Sequence, residues 1–327
     1  MNPFHSLRVF DESGKVTVRV VKVKLEELSP GEVVIQTAYS SVNYKDALAA
    51  TGAGKIIRSF PRIAGIDATG IVISSADARF KAGDEVICTS YEFGVGHDGG
   101  YSQVCRVPAD WVVPLPRGLS LFDAAALGVA GYTAGLSVEL LELNGMAPGN
   151  GKVLVNGATG GVATLAIDML AALGYNVVAV TGKDAEHDYL RRLGAKEVLS
   201  RQQLDLGTRP LEKGLWAAAF DSVGGDQLTW LTRTMQPNGL IASFGNAAGI
   251  ELKTTVLPFI LRGVRLIGVN SGDTPMPLRR RIWGRLAADL KPRHLGDIAH
   301  VISLEDLPGY FEKMLKGLIK GRAVVKL

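Results

Sequence analysis

Val153-Leu-Val-Asn-Gly157-Ala-Thr159-Gly160-Gly161-Val162-Ala163 is an apolar strand that runs into a glycine-rich turn and opens an apolar helix reaching about Leu173. A second apolar strand, Asn176-Val-Val-Ala-Val-Thr181, follows at once. Strand, glycine turn, helix and strand in this order form the first unit of a dinucleotide-binding fold. Gly157 permits the tight turn. Gly160 and Gly161 let the backbone approach a pyrophosphate, and Ala163 lets the helix pack close to the strand. The helix start offers unpaired N–H groups and partial positive charge to phosphates.

Working outward, strands and helices alternate from Lys152 on: a helix near 186–193, strand 197–199, strand 216–220, a helix near 226–235 and strand 239–244. That alternation predicts a parallel sheet with helices on both faces. Ligand-touching loops then follow the strand ends at Thr181-Gly182-Lys183, Asp221-Ser-Val-Gly-Gly225 and Gly245-Asn246. Upstream, residues 1–120 carry many short strands punctuated by Gly and Pro, which suggests a partly open barrel. Ser120 and Asp123 form a shortened capping box for a small-residue helix that includes Ala130 to Ala134. The final strand, Arg322 to Leu327, is expected to return to the barrel. The predicted domains are 1–120 with 290–327, and 121–289.

The chain has 327 residues, 47% hydrophobic and 21% charged, with a formal charge of +4. This describes about two globular domains rather than a disordered polymer. The basic residues are spread out, so nucleic-acid binding is not implied. No apolar run reaches the ~18 residues that span a bilayer, and no signal peptide is seen; a cytoplasmic protein is expected. Two cysteines, Cys88 and Cys105, suit a reducing compartment. With His97 they fit no zinc template. The cluster Arg279-Arg280-Arg281 reads either as a solvated helix face or as a contact to an anionic ligand.

At the end of the second strand an Asp or Glu would bind a ribose hydroxyl pair. Thr181-Gly182-Lys183 stands there instead, with Arg201 after the next strand. A hydroxyl and cations replace the carboxylate that would repel a 2′-phosphate, so NADP(H) is expected over NAD(H).

Gly65-Ile-Asp-Ala-Thr-Gly70, Phe80-Lys-Ala-Gly83-Asp84-Glu-Val, Gly99-Gly-Tyr-Ser, Ala130-Gly-Tyr-Thr-Ala134, the glycine turn, Asp221 to Gly225 and Gly321-Arg-Ala-Val-Val-Lys-Leu327 together resemble the medium-chain dehydrogenase/reductase superfamily over nearly the whole chain. Ser41-Val-Asn-Tyr-Lys-Asp46, Thr181-Gly-Lys, His187-Asp-Tyr-Leu, Arg209 to Ala217 and Leu257 to Leu266 look like its zinc-free, NADPH-dependent acryloyl-CoA reductase group. The zinc enzymes' cysteine is missing near Ser41 to Lys45, and Ile66-Asp67 replaces their His-Glu pair.

The resemblance implies a Rossmann-type domain beside a GroES-like barrel, and no metal. It implies that Asn43 and Tyr44 lie by the nicotinamide, Tyr44 either orienting or donating a proton or simply forming a packing wall. Asp46 is expected to pair locally with Lys45. The cofactor residues it implies are Tyr44, Thr133, Thr159, Gly160, Gly161, Val162, Thr181, Gly182, Lys183, Arg201, Gly245, Asn246, Ile260 and Ser271. Tyr91 is a further candidate to line the cleft, and Arg58, Arg62 and Arg279 to Arg281 are candidates for CoA phosphates. Expected partners are a small-molecule acceptor, acyl-CoA or quinone, and a second copy in a homodimer or homotetramer. Three activities are open: acryloyl-CoA reduction, quinone reduction, or nucleotide binding without turnover.

Overall fold

The computed structural model describes all 327 residues. They fall into two compact units, Met1–Ala130 with Gly272–Ala287 and Leu295–Leu327, and Gly131–Ser271 with Ala288–His294.

The first unit carries strands β1 (Phe4–Glu12), β2 (Lys15–Val23), β3 (Val33–Ser41), β4 (Arg62–Ile63), β5 (Asp67–Ser75), β6 (Glu85–Thr89), β7 (Val104–Val107) and β8 (Val112–Pro114), with helix α1 (Tyr44–Thr51) after β3. Helix α2 (Leu121–Leu143) begins here, with Ser120 and Asp123 exchanging backbone-to-side-chain bonds of 3.1 and 3.0 Å at its start. In the second unit lie β9 (Lys152–Val155), α3 (Gly161–Ala172), β10 (Asn176–Thr181), α4 (His187–Arg192), β11 (Glu197–Ser200), β12 (Trp216–Asp221), α5 (Gly225–Thr234), β13 (Met235–Ser243), α6 (Leu257–Arg262) and β14 (Arg265–Gly268). The chain closes with α7 (Met276–Leu286), α8 (Leu295–Ile298), β15 (Ala299–Ile302), α9 (Leu307–Leu315) and β16 (Arg322–Lys326).

The second unit is one six-stranded parallel sheet, ordered β11-β10-β9-β12-β13-β14. From the glycine-turn strand outward this is the doubly wound order, and it reverses between β9 and β12, where such sheets bind ligands. Val153, Leu154, Val155 and Val177 to Val180 are at most 1% exposed. Burial on both faces is why these strands read as continuous apolar runs rather than alternating ones. Each large aliphatic side chain so buried contributes ~1.5–3 kcal/mol.

In the first unit, a seven-stranded sheet follows the order β15-β16-β3-β5-β6-β8 with β7 on β3, beside a three-stranded sheet β2-β1-β4. The last strand does return to this sheet: Val324, Val325 and Lys326 pair antiparallel with Ser41, Ser40 and Tyr39.

The unit boundaries differ from the sequence expectation of 120/121 and 289/290. Residues up to Ala130 stay with the first unit because Thr69 Oγ1 donates to the Leu121 carbonyl and Val129 N–H to Asp67. Gly272–Ala287 joins it through Arg279. Ala288–His294 belongs to the second unit, where His294 N–H and Nδ1 lie 2.8 and 3.0 Å from the buried Asp168 carboxylate. The expectation that no apolar run is long enough to span a bilayer also fails. Helix α2 has 23 residues and a mean hydropathy of 1.4 in its most apolar window, but 89% of that window is buried. Its hydrophobicity serves a protein core, and Gly128 (φ 48°, ψ −152°) kinks it.

Candidate active site

At the C-terminal edge of the parallel sheet the glycine turn has the predicted shape. Gly157 sits at φ +57°, and a Cβ there would come within 3.2 Å of Val223. Gly160 N–H bonds the Gly157 carbonyl at 2.8 Å, and Gly160 precedes α3 as its cap. Thr159, Gly160, Gly161 and Val162 thus surround a helix start suited to a pyrophosphate. The neighbouring strand ends are held by a buried network that sequence reading did not single out. Asn156 Nδ2 donates to Asp221 at 2.6 Å, and Ser222 N–H donates to Asn156 Oδ1 at 2.8 Å. Ser243 Oγ donates to the same aspartate at 3.2 Å, so β9, β12 and β13 end in register.

Thr181, Gly182, Lys183 and Arg201 come together at the ends of β10 and β11. Thr181 Oγ1 accepts from Lys183 N–H at 3.0 Å. The Arg201 guanidinium lies so close to Gly182 that a Cβ there would meet it at 2.9 Å. A planar cation beside a glycine, with a lysine next in sequence and no carboxylate on β10, fits a phosphorylated ribose. Thr133 Oγ1 donates to Ser271 Oγ at 2.8 Å, bringing those two candidates together as well. Gly245 and Asn246 follow β13, where a Cβ at Gly245 would strike the Ser222 backbone. Ile260 departs from the group. It is 68% exposed on α6, and Arg262 at the end of that helix donates to the Arg233 and Met235 carbonyls.

In the first unit Asn43 and Tyr44 stand at the start of α1, Asn43 as the cap and Tyr44 as the first helical residue, 43% exposed. Asn43 is fully engaged. Its Nδ2 donates to Asp67 at 2.7 Å and to Asp46 at 3.2 Å, and its Oδ1 accepts from Arg322 Nη1 at 3.0 Å. Asp67 also accepts from Ser41 Oγ at 2.5 Å and from Val129 N–H at 3.0 Å. Arg322 Nη2 lies 3.8 Å from it. Gly128 is required here, because a Cβ would lie 2.6 Å from Ser41 Oγ and 2.8 Å from Arg322.

Burial raises Asp67 above the usual carboxylate range, against the pull of Arg322. Burial, and then the charge of Asp67, push Asp46 up to about 7. Asp46 does not pair with Lys45. It is 1% exposed and accepts from Asn43 N–H at 2.9 Å and from Ile66 N–H at 3.0 Å, the first as half of a capping box.

The remaining expectations resolve residue by residue. Arg279 belongs to neither a solvated face nor a CoA contact. It is 0% exposed, with Nη1 3.2 Å from the Thr89 carbonyl and Nε 3.1 Å from Tyr91 Oη. Arg280 and Arg281 are exposed on the same helix, and so is Arg58 in its loop. Arg62 is tied to Ser29 and Ser59 at 2.8 and 2.9 Å. Cys88 and Cys105 are buried thiols raised by burial, Cys105 to about 12 with its Sγ 3.2 Å from Thr37 Oγ1. Both His97 ring nitrogens face backbone carbonyls, of Asp98 at 2.9 Å and Pro30 at 2.8 Å.

Two family models match, the alcohol dehydrogenase GroES-like domain over residues 29–117 and the zinc-binding dehydrogenase domain over 161–286. The chain is a zinc-free medium-chain dehydrogenase/reductase. As in other oxidoreductases of this family, a barrel unit and a doubly wound unit share one polypeptide. Acrylyl-CoA reductase AcuI of Ruegeria pomeroyi is 45% identical over 316 residues, 96% of both chains. Bacillus subtilis YhfP, which carries the provisional name quinone oxidoreductase, is 48% identical over 99% of both chains. Its crystal structure with NAD bound superposes over all of both chains with a TM-score of 0.97. The Salmonella enterica yhdH oxidoreductase in complex with NADP is 44% identical, with a TM-score of 0.96 over 99% of both chains. This oxidoreductase keeps the family's two units.

Proposed function

We propose that this NADPH-dependent oxidoreductase reduces the carbon–carbon double bond of an α,β-unsaturated acyl-CoA, converting acryloyl-CoA to propanoyl-CoA. The observation that carries this reading is the 45% identity to AcuI along 96% of both chains. When bound, the reduced nicotinamide supplies a hydride to the substrate's β-carbon. The residues around the site supply the rest. The α3 start with Thr159 to Val162 holds the pyrophosphate. Thr181, Lys183 and Arg201 hold the 2′-phosphate, and Thr133, Gly245, Asn246 and Ser271 complete the cofactor edge. Asn43, locked by Asp67 and Arg322, fixes the start of α1, and Tyr44 is presented there to the reacting groups. A phenol hydroxyl at that position can give its proton to the α-carbon. Negative charge gathers on the thioester oxygen as the β-carbon is reduced, and hydrogen-bond donors stabilise it without a metal.

We infer a cytoplasmic homodimer or homotetramer whose copies pair along β14, the sheet's outer strand. Val256, Ile260 and Leu261 on and beside α6 are 65%, 68% and 65% exposed, an apolar surface suited to such a contact.

The test is a screen of NADPH oxidation at its absorbance maximum with acryloyl-CoA and with 1,4-benzoquinone. The expected result is turnover of the thioester with at least tenfold higher kcat/KM. Quinone turnover alone makes the protein a quinone reductase. Tight NADPH binding with no oxidation by either acceptor leaves a binding protein.

A further inference from the structure

At the end of β6 two consecutive residues that are not glycine, Ser90 and Tyr91, lie in the left-handed region, at φ +66° and +53°. Side chains with a Cβ avoid that region, and such strain persists only where the surroundings enforce it. The enforcement is visible. Tyr91 is sandwiched between Trp111, whose ring stacks at 5.7 Å and 13°, and the Arg279 guanidinium, 4.3 Å from the ring centroid. Its hydroxyl donates to the Thr274 carbonyl at 3.1 Å, and its N–H to the Gly272 carbonyl at 3.2 Å. A fully buried arginine and a tryptophan thus hold this one turn in place.

What the turn presents is Ser90. The residue is 5% exposed, and its hydroxyl makes no hydrogen bond within the chain. With no partner in the chain, the hydroxyl is left to water or to a ligand. The oxygen is also not among the polar atoms sealed from solvent, so a small molecule can reach it. Its neighbour is the candidate reaction centre. Ser90 N–H donates to the Ile66 carbonyl at 2.9 Å, while Ile66 N–H donates to Asp46 at 3.0 Å, and Asp46 caps α1 next to Asn43 and Tyr44. A single residue, Ile66, therefore bridges the serine turn and the start of α1.

We propose that Ser90 is a substrate-contacting residue whose hydroxyl donates to the carbonyl oxygen of the acceptor, with Tyr91, Trp111 and Arg279 positioning the turn. This rests on the reductase reading above. As the β-carbon gains hydride, the alkene π pair moves toward the α-carbon and the carbonyl oxygen. The serine proton stays on Ser90 and shares that oxygen's charge, and the α-carbon is protonated separately.

The test compares the full-length wild type with Ser90→Ala and Ser90→Gly. It measures kcat/KM for acryloyl-CoA and 1,4-benzoquinone, KM for NADPH, and Tm by circular dichroism. Both variants are expected to lose ten- to hundredfold in kcat/KM for the acceptor that the wild type reduces, with KM for NADPH within twofold. Tm should hold in Ser90→Ala and rise in Ser90→Gly, whose backbone accepts the turn without strain. Retention of acceptor kcat/KM within twofold in both variants overturns the assignment, as does an equal loss in NADPH binding. Wild type that reduces only the quinone removes the acyl-CoA reading but leaves Ser90 to be judged on the quinone carbonyl. Wild type that reduces neither acceptor removes both.

Discussion

The two ends of this molecule's chemistry handle charge in opposite ways. At the edge of the doubly wound sheet, cations are set in or near water. Arg201 is exposed, Lys183 is half-buried, and the backbone of a glycine turn supplies the remaining donors. In the barrel unit, two carboxylates and a guanidinium are sealed in: Asp46 and Asp67 are each 1% exposed and Arg322 is 3% exposed. An exposed guanidinium such as that of Arg201 stays hydrated until a ligand arrives, so it can accept a phosphate at little cost. A sealed network has already lost its hydration and stays favourable only while every member keeps its partners. The first should therefore control affinity, and the second stability and the posture of Asn43.

The sharpest way to break this contrast is to open the sealed side. Arg322→Met removes bonds to the Ala126 and Val42 carbonyls, at 3.0 and 2.8 Å, and to Ser41 Oγ at 2.7 Å, and it leaves Asp67 uncompensated. Urea unfolding should show a loss of about 3–5 kcal/mol, the range for a buried pair deprived of one partner. A loss below ~1 kcal/mol would mean that the network is not sealed.

Next is the pH dependence of Asp46, whose carboxyl is pushed up to about 7 when folded. In the unfolded chain its pKa is ~3.9. Between those values the folded state binds more protons, so stability from this group is fully present below pH ~4 and is lost as pH rises to 7. Over that window the loss is at most about 4 kcal/mol at ~1.4 kcal/mol per unit. Thermal melts from pH 5 to 8 should fall more steeply for wild type than for Asp46→Asn; parallel curves would count against a buried acid.

The smallest effect belongs to the open side. Lys183→Ala and Arg201→Ala should each weaken NADPH binding about tenfold, ~1.4 kcal/mol, with NADH nearly unchanged and Tm within experimental scatter. Fluorescence titration with both nucleotides decides it, and equal losses for NADH and NADPH would remove the phosphate role.

What could be read from the sequence follows the same divide. The glycine turn, the alternation around it and the Thr181 to Lys183 edge are local patterns, and local patterns survive in one dimension. Asp67 and Arg322 are far apart in sequence, and only closure of the β16–β3 pairing brings them together. Arg279 misleads for a related reason: three consecutive arginines look like a wet helix face, and nothing nearby announces that Thr89 and Tyr91 wait for the first of them. Ser90 carries no signal at all, since a left-handed serine is spelled like any other. The capping box at Asn43 and Asp46 could have been found, because Asn followed three residues later by an acid is a known helix start. The adjacent lysine suggested an ion pair instead.

The late position of β16 sets a schedule for synthesis. Everything from Gly131 to Ser271 emerges from a ribosome as one run, and it can organise its sheet while translation continues, with only the short piece Ala288–His294 to add. The barrel unit must wait, with β3 lacking one neighbour and Asp67 lacking its counter-charge, until the codons for Arg322 to Lys326 have been read. A nascent chain halted just before them would expose a sheet edge and a stranded acid to the cell's quality control, even though the nucleotide-binding half was already formed.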